Sequence, residues 1–160
     1  MRKHFSKLLH EEMQKNDKIY LITGDLGYGL WDEIRKDFPE RFINVGSAEQ
    51  LMVGAAVGLA MENKIPVVYS ITSFLLYRPF ELIRNYVDHE RIPLKLIGGG
   101  RDQDYGYLGF SHWAEDDKEI MKNFKNITTL HPDTESELEQ NFRELFDNES
   151  PFYLNLKRKY

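Results

Sequence analysis

Apolar positions at Phe5, Leu8, Leu9 and Met13 recur at three- and four-residue spacing, which predicts a helix over residues 2–15. Lys18 to Thr23 reads as a short strand, followed by the glycine-punctuated turn Gly24-Asp25-Leu26-Gly27-Tyr28-Gly29. A short helix over 30–38 ends before Pro39, and Arg41 to Val45 forms a second strand. Ser47 to Asn63 is a long helical stretch rich in Ala and Gly. A third strand at Ile65 to Ile71, a helix over Phe74 to Glu90 and a fourth strand at Pro93 to Ile97 come next. Gly98 to Trp113 reads as a long glycine- and aromatic-rich loop. Helix 115–125, strand 127–130, helix 134–147 and strand 152–157 complete the pattern, with Thr134 and Glu137 placed for a capping box.

Strands separated by helices imply parallel pairing through crossovers of one hand. The central strands are apolar on both faces, as helices covering both sides of a sheet require. The expected fold is a three-layer α/β/α domain with a mostly parallel sheet of about six strands, occupying residues 1–160 as one unit. No repeat, low-complexity tract or linker interrupts it.

Composition narrows the chemistry. The chain has 160 residues, 41% of them hydrophobic, with 21 Lys and Arg against 26 Asp and Glu, a net charge of −5. Mixed signs argue against a broad nucleic-acid footprint. Cysteine is absent, which removes disulfides, thiolate metal sites and a cysteine nucleophile. No apolar run is long enough to span a membrane, and the basic start Met1-Arg2-Lys3-His4-Phe5 is followed by no apolar signal core. A cytoplasmic protein is expected. The basic tail Lys157-Arg158-Lys159-Tyr160 reads as a solvated terminus without a function of its own.

The common catalytic signatures are missing. There is no phosphate-binding loop ending in Gly-Lys-Ser/Thr, no HExxH pair and no Gly-x-Ser-x-Gly elbow. Gly98-Gly99-Gly100 follows a strand, at the end of the sheet where open α/β folds bind ligands. The sharper signal is Asn44-Val45-Gly46-Ser47-Ala48-Glu49-Gln50, where a strand runs into a helix that carries a glutamate in its first turn. Ser47 is a plausible cap, and acidic residues favour helix N-termini in any protein. The residues that follow, Leu51 to Met61, carry no charge and predict a helix buried on most sides. A carboxylate opening such a helix is not surface decoration.

The stretch NVGSAEQLMVGAAVGLAMENKIPVVYSITSFLLYRPFELIRN closely resembles the pyrimidine-binding domain of thiamine diphosphate enzymes. The branch it resembles is that of transketolases, deoxyxylulose-phosphate synthases and the beta subunits of 2-oxoacid dehydrogenases. The resemblance continues through KLIGGGRDQDYGYLGFSHWAEDD and covers about residues 5–157. It implies that Glu49 meets N1′ of the cofactor's aminopyrimidine, favouring the imino tautomer whose 4′ nitrogen removes the thiazolium C2 proton. The C2 carbanion then attacks a carbonyl, with the cofactor as electron sink. It further implies that Phe74 stacks on the pyrimidine, that Tyr77 lines the cofactor or substrate channel, and that His112 meets the substrate or the cofactor's reactive end. Asp25 resembles an acidic loop near a subunit contact, but reads better as a turn aspartate. Trp113 stands where the transketolase element has Gln after His, and Leu108 and Phe110 flank Gly109. Arg78 and Arg101 are spare cations that would replace lost sugar-phosphate contacts.

Such a site needs a second domain that binds the diphosphate through a divalent cation, using Gly-Asp-Gly and a later Asn. Here Gly24-Asp25-Leu26 has no such continuation. The resemblance therefore implies a stand-alone small subunit of a split transketolase-like enzyme, working with thiamine diphosphate and Mg2+ or Ca2+ held by a separate diphosphate-binding subunit. An α2β2 heterotetramer acting on a small carbonyl or sugar-phosphate substrate is expected, with self-association through this domain also allowed. A 2-oxoacid decarboxylase or dehydrogenase subunit, or a non-catalytic relic of the fold, are the alternatives.

Overall fold

The computed structural model describes residues 1–158. Helix α1 (Arg2–Lys15) leads into β1 (Ile19–Thr23), α2 (Asp32–Asp37) and β2 (Phe42–Asn44). Then follow α3 (Glu49–Met61), β3 (Ile65–Ile71), α4 (Thr72–Tyr77), α5 (Phe80–Leu82) and a wider π-type turn at Ile83–His89. Strand β4 (Lys95–Gly99), α6 (Asp117–Met121), β5 (Thr128–Leu130), α7 (Glu135–Asp147) and β6 (Phe152–Leu156) close the chain.

The six strands form one sheet in the order β2-β1-β3-β4-β6-β5, and every pairing is parallel. The three-layer expectation holds. Adjacent strand residues point to opposite faces, so each strand feeds two cores. Leu21, Val67, Ile97 and Leu154 pack with Phe5, Leu9 and Phe142 of α1 and α7. Their neighbours Ile22, Val68, Leu96 and Tyr153 pack with Met52, Val53, Leu75 and Met121 of α3, α4 and α6. Steps toward the β2 edge, and from β5 back to β6, carry α2 and α7 on the first face. Steps in the other direction carry α3, α4 and α6 on the second, as one handedness of crossover requires. The direction of winding reverses between β1 and β3. In an open α/β sheet the crevice outside the strand ends at that point is the natural ligand site.

Several boundaries differ from expectation for identifiable reasons. Strand β4 begins at Lys95, not Pro93, and runs into the glycine triplet through Gly99. Gly98 and Gly99 are strand residues because both pair with β3 and β6, and they are glycines because their neighbours leave no room for a side chain. A Cβ on Gly98 would lie 2.6 Å from Thr72 Oγ1, and one on Gly99 would lie 2.5 Å from the Tyr69 hydroxyl. The helix expected from Phe74 to Glu90 starts earlier, at Thr72, and breaks at Arg78-Pro79, since proline cannot donate to the preceding turn. Ser47 is not the cap of α3; Ala48 is, with no side-chain cap bond. Nor is α3 buried on most sides: Met52, Val53, Ala56 and Val57 face the core, while Leu51 and Met61 are exposed. The Thr134–Glu137 capping box is present, with both reciprocal bonds made, and contributes about 1 kcal/mol.

Lys95 is a charged residue in a central strand, 2% exposed. Its ammonium donates to the Asn148 and Ser150 carbonyls at 2.8 Å each, closing the C-terminal end of α7. It also stands 4.7 Å from the centroid of the Phe152 ring. At the other end of β6, Lys157 pairs with Asp133 at 2.5 Å, while Lys159 and Tyr160 of the basic tail lie outside the described residues.

Candidate active site

Glu49 opens α3 at the winding reversal between β1 and β3 and is 1% exposed. Its two oxygens have separate partners. Ser70, at the end of β3, donates its hydroxyl to Oε1 at 2.9 Å. Arg78, at the end of α4, donates Nη1–H to Oε2 at 2.6 Å. A short strand-to-helix connection delivers Glu49, and β3 passes directly into α4 and so delivers Ser70 and Arg78. Helix geometry does the rest: Phe74 and Arg78 are four residues apart on one face. The Arg78 guanidinium carbon lies 3.8 Å from the centroid of the Phe74 ring.

The loop after β4 supplies the third side. The backbones of Asp102 and Ala114 pair in an antiparallel bridge that closes the loop at its base. Ser73 donates its hydroxyl to the Ser111 carbonyl at 2.8 Å, fastening the loop to α4. His112 thereby reaches Phe74, with ring centroids 4.9 Å apart at an edge-on angle of 64°. Its Nδ1 lies 2.9 Å from Ser111 Oγ, and its ring also meets Tyr105 at 6.0 Å. The exposed aromatics Tyr107 and Phe110 sit on the same loop.

Glu49, Phe74 and His112, separated by up to 63 residues in sequence, therefore form one constellation. Tyr77 stands apart from them. Its side chain is half exposed, and its hydroxyl donates to Asp116, which raises the phenol pKa to about 12, with burial adding to the effect. Asp25 is a turn residue at φ 59°, accepting from Tyr28 at 2.6 Å and Asn44 at 3.2 Å.

Neither spare cation is free. Arg101 is buried and bonded on every side: to Asn155 Oδ1 at 2.8 Å, Asp133 Oδ1 at 2.8 Å, and the Pro132 and Asn155 carbonyls at 3.0 Å each. It ties β6 to the loop before α7, with four of its five N–H donors committed to protein acceptors and the side chain buried. Arg78 is committed to Glu49 and Phe74. Sequence reasoning alone missed Ser70 and the Arg78 pairing. The four-residue interval from Phe74 to Arg78 was the available signal for the second.

Behind the site lies a buried polar chain. Asp117 accepts from Tyr153 at 2.8 Å and lies 2.8 Å from His131 Nε2. Asn155 donates to the Tyr153 hydroxyl at 3.2 Å, to Thr72 Oγ1 at 3.0 Å and to the Gly100 carbonyl at 3.1 Å. Thr72 in turn donates to the Gly100 carbonyl at 2.7 Å. This chain fixes the first residue of α4, and with it the placement of Phe74.

The arrangement suits a flat ring whose edge nitrogen shares a proton with a carboxyl group. Phe74 offers an aromatic face, and Glu49 offers a buried carboxylate oriented by Ser70. The guanidinium already seated there is itself planar and edge-donating. The residues present therefore fit the aminopyrimidine half of thiamine diphosphate.

Comparison with known proteins leads to the same group. The family model for the pyrimidine-binding domain of transketolase matches residues 1–160. A putative transketolase C-terminal section from Methanocaldococcus jannaschii is 31% identical over 160 residues, covering 99% of this chain and 51% of the relative. An apulose-4-phosphate transketolase subunit from Actinobacillus succinogenes is 35% identical over 124 residues, covering 78% of this chain and 40% of the relative. Among solved structures, a split-gene transketolase described as an inactive beta4 tetramer superposes with a TM-score of 0.85 at 30% identity, covering 98% of this chain and 51% of that one. The chain thus spans about half the length of these relatives, or less.

Proposed function

The chain belongs to the transketolase pyrimidine-binding domain family, and from that premise we propose that it supplies the pyrimidine half of a thiamine diphosphate site in a split transketolase-like transferase. The observation that carries this is the linkage of Glu49 to Phe74 through Arg78, and of Phe74 to His112, beside the winding reversal of the sheet. A separate diphosphate-binding subunit completes the site and holds the diphosphate with its Mg2+ or Ca2+, in an α2β2 assembly. The relatives named above are transketolase subunits, which favours a ketose-type donor over a 2-oxoacid.

Thiamine diphosphate, when bound, supplies the electron sink for breaking and forming a carbon–carbon bond next to a carbonyl. The protein's part is to seat and tune it. Phe74 presents the face against which the pyrimidine stacks. Glu49 holds the proton shared with N1′, and burial keeps water from competing for that contact. Ser70 fixes the rotamer of Glu49 by bonding one oxygen, leaving the other for the ring. His112, steered by Ser111 and packed on Phe74, presents its Nε2 to substrate oxygens at the open side. Tyr77, held by Asp116 away from the other three, takes no part in this seat.

Glu49→Gln tests the reading in the complex assembled with the diphosphate-binding subunit. Shape and helix position are preserved, but the ionisable carboxyl is lost. Two-carbon transfer should fall by roughly 10²-fold or more, with the far-ultraviolet circular dichroism unchanged. Unaltered turnover would reduce Glu49 to a helix-start residue.

A further inference from the structure

Arg78 holds the two contacts that a pyrimidine in this site would need. Its guanidinium lies flat enough on Phe74 to bring the central carbon within 3.8 Å of the ring centroid. One of its N–H groups meets Glu49 Oε2 at 2.6 Å. An aromatic face and a proton shared with this carboxyl at the ring edge are also what the aminopyrimidine requires, and two planar groups cannot occupy one face of Phe74 together. We propose that Arg78 is a placeholder: it fills the pyrimidine seat in the ligand-free protein and is displaced when the ring enters. The inference rests on reading Glu49 and Phe74 as that seat.

The local chemistry explains both why Arg78 stays and why it can leave. Glu49 is buried, and Ser70 satisfies only one of its oxygens. A buried carboxylate without a partner on its second oxygen is strongly unfavourable, so the empty seat needs a donor. Arg78 provides one from the residue that caps the end of α4, where the chain breaks at Pro79. Its side chain remains 44% exposed, and among the described residues Glu49 is its one hydrogen-bonded acceptor. The side chain can therefore swing into solvent without disturbing the core. The entering ring takes over both contacts, and the guanidinium's place on Glu49 passes to a proton shared between the carboxyl and N1′. The apparent affinity of the ring is lowered by the fraction of molecules in which Arg78 is seated.

The opposite role, a clamp that grips the bound cofactor, predicts the opposite sign. The test uses the complex with its diphosphate-binding subunit, titrated calorimetrically with thiamine diphosphate and Mg2+, and separately with 4-amino-5-hydroxymethyl-2-methylpyrimidine. Arg78→Ala should tighten binding of both probes by roughly fivefold or more, and Arg78→Lys, which keeps charge but not planarity, by less. Weaker binding in Arg78→Ala would make Arg78 a clamp and overturn the proposal; unchanged binding would also overturn it. A second measurement needs no ligand. In thermal unfolding of the ligand-free protein, Glu49→Gln and Arg78→Ala should be non-additive in the double variant, and additivity would show that the contact is not made. If Glu49→Gln and Phe74→Ala leave pyrimidine binding intact, the seat itself is misassigned. If both weaken it while Arg78→Ala changes nothing, the placeholder alone fails.

Discussion

Replacing Lys95 with Met should change how stability depends on pH more than it changes stability at pH 7. Lys95 lies in the central strand β4, 2% exposed, and desolvation pulls its pKa from 10.5 down to about 8, against the opposing pull of Glu149. Unfolding restores the ordinary value. Between about pH 8 and 10.5 the unfolded chain therefore binds a proton that the folded chain lacks, and stability rises with pH. At about 1.4 kcal/mol for each tenfold change, the full gap corresponds to about 3 kcal/mol. That is an upper figure, because the two carbonyls accepting from Nζ and the Phe152 ring both favour the ammonium. At pH 7, Lys95→Met removes the buried charge but leaves two carbonyls without their donor, each worth about 1–3 kcal/mol, so the effects largely offset. Urea unfolding of both proteins from pH 7 to 10.5 reads the difference. The wild type should gain on the variant by up to about 3 kcal/mol across that range. Curves that stay parallel would refute the argument and make Lys95 an ordinary ammonium.

Two further outcomes follow from the polar chain behind the site. Gly98→Ala forces a Cβ to within 2.6 Å of Thr72 Oγ1, and should cost about 1–3 kcal/mol in urea unfolding while weakening pyrimidine binding through α4. Burial opposes ionisation of Asp117, but the bonds from His131 and Tyr153 outweigh it and hold its pKa below the ordinary carboxylate value. The stability it contributes is complete above the unfolded pKa and is lost as pH falls through the folded one, so Asp117→Asn should flatten the acid limb of the stability curve below about pH 4.

The three layers were legible because the central strands carry apolar residues on both faces and helices such as α1 and α7 on one. The burial of Glu49 was legible because a carboxylate opening an uncharged helix conflicts with ordinary surface patterning, whereas its role came from the family resemblance. What escaped was set by tertiary packing. Gly98 and Gly99 read as loop residues, yet they continue β4 because β3 and β6 pair with them on either side, with Thr72 and Tyr69 covering their faces. Arg101 looked like an available cation, and only the fold brings Asn155 and Asp133 around it from later in the chain. Ser70 gave no signal at all: a serine ending an apolar strand looks the same whether or not a buried carboxylate lies beside it. The exposed Leu51 and Met61 escaped for the opposite reason, since a uniformly apolar helix does not reveal which side meets the core.

The bridge between Asp102 and Ala114 makes the intervening segment a cassette. Its two ends are held together at the sheet, so its length and composition can change without pulling β4 away from α6. Its attachment to α4 runs through the Ser111 carbonyl, a main-chain group that almost any residue would provide. The segment bearing His112 can thus diverge independently of Glu49 and Phe74, which sit on elements tied into both cores. Under the proposed assignment, contact with substrate and seating of the cofactor fall to different parts of one small domain.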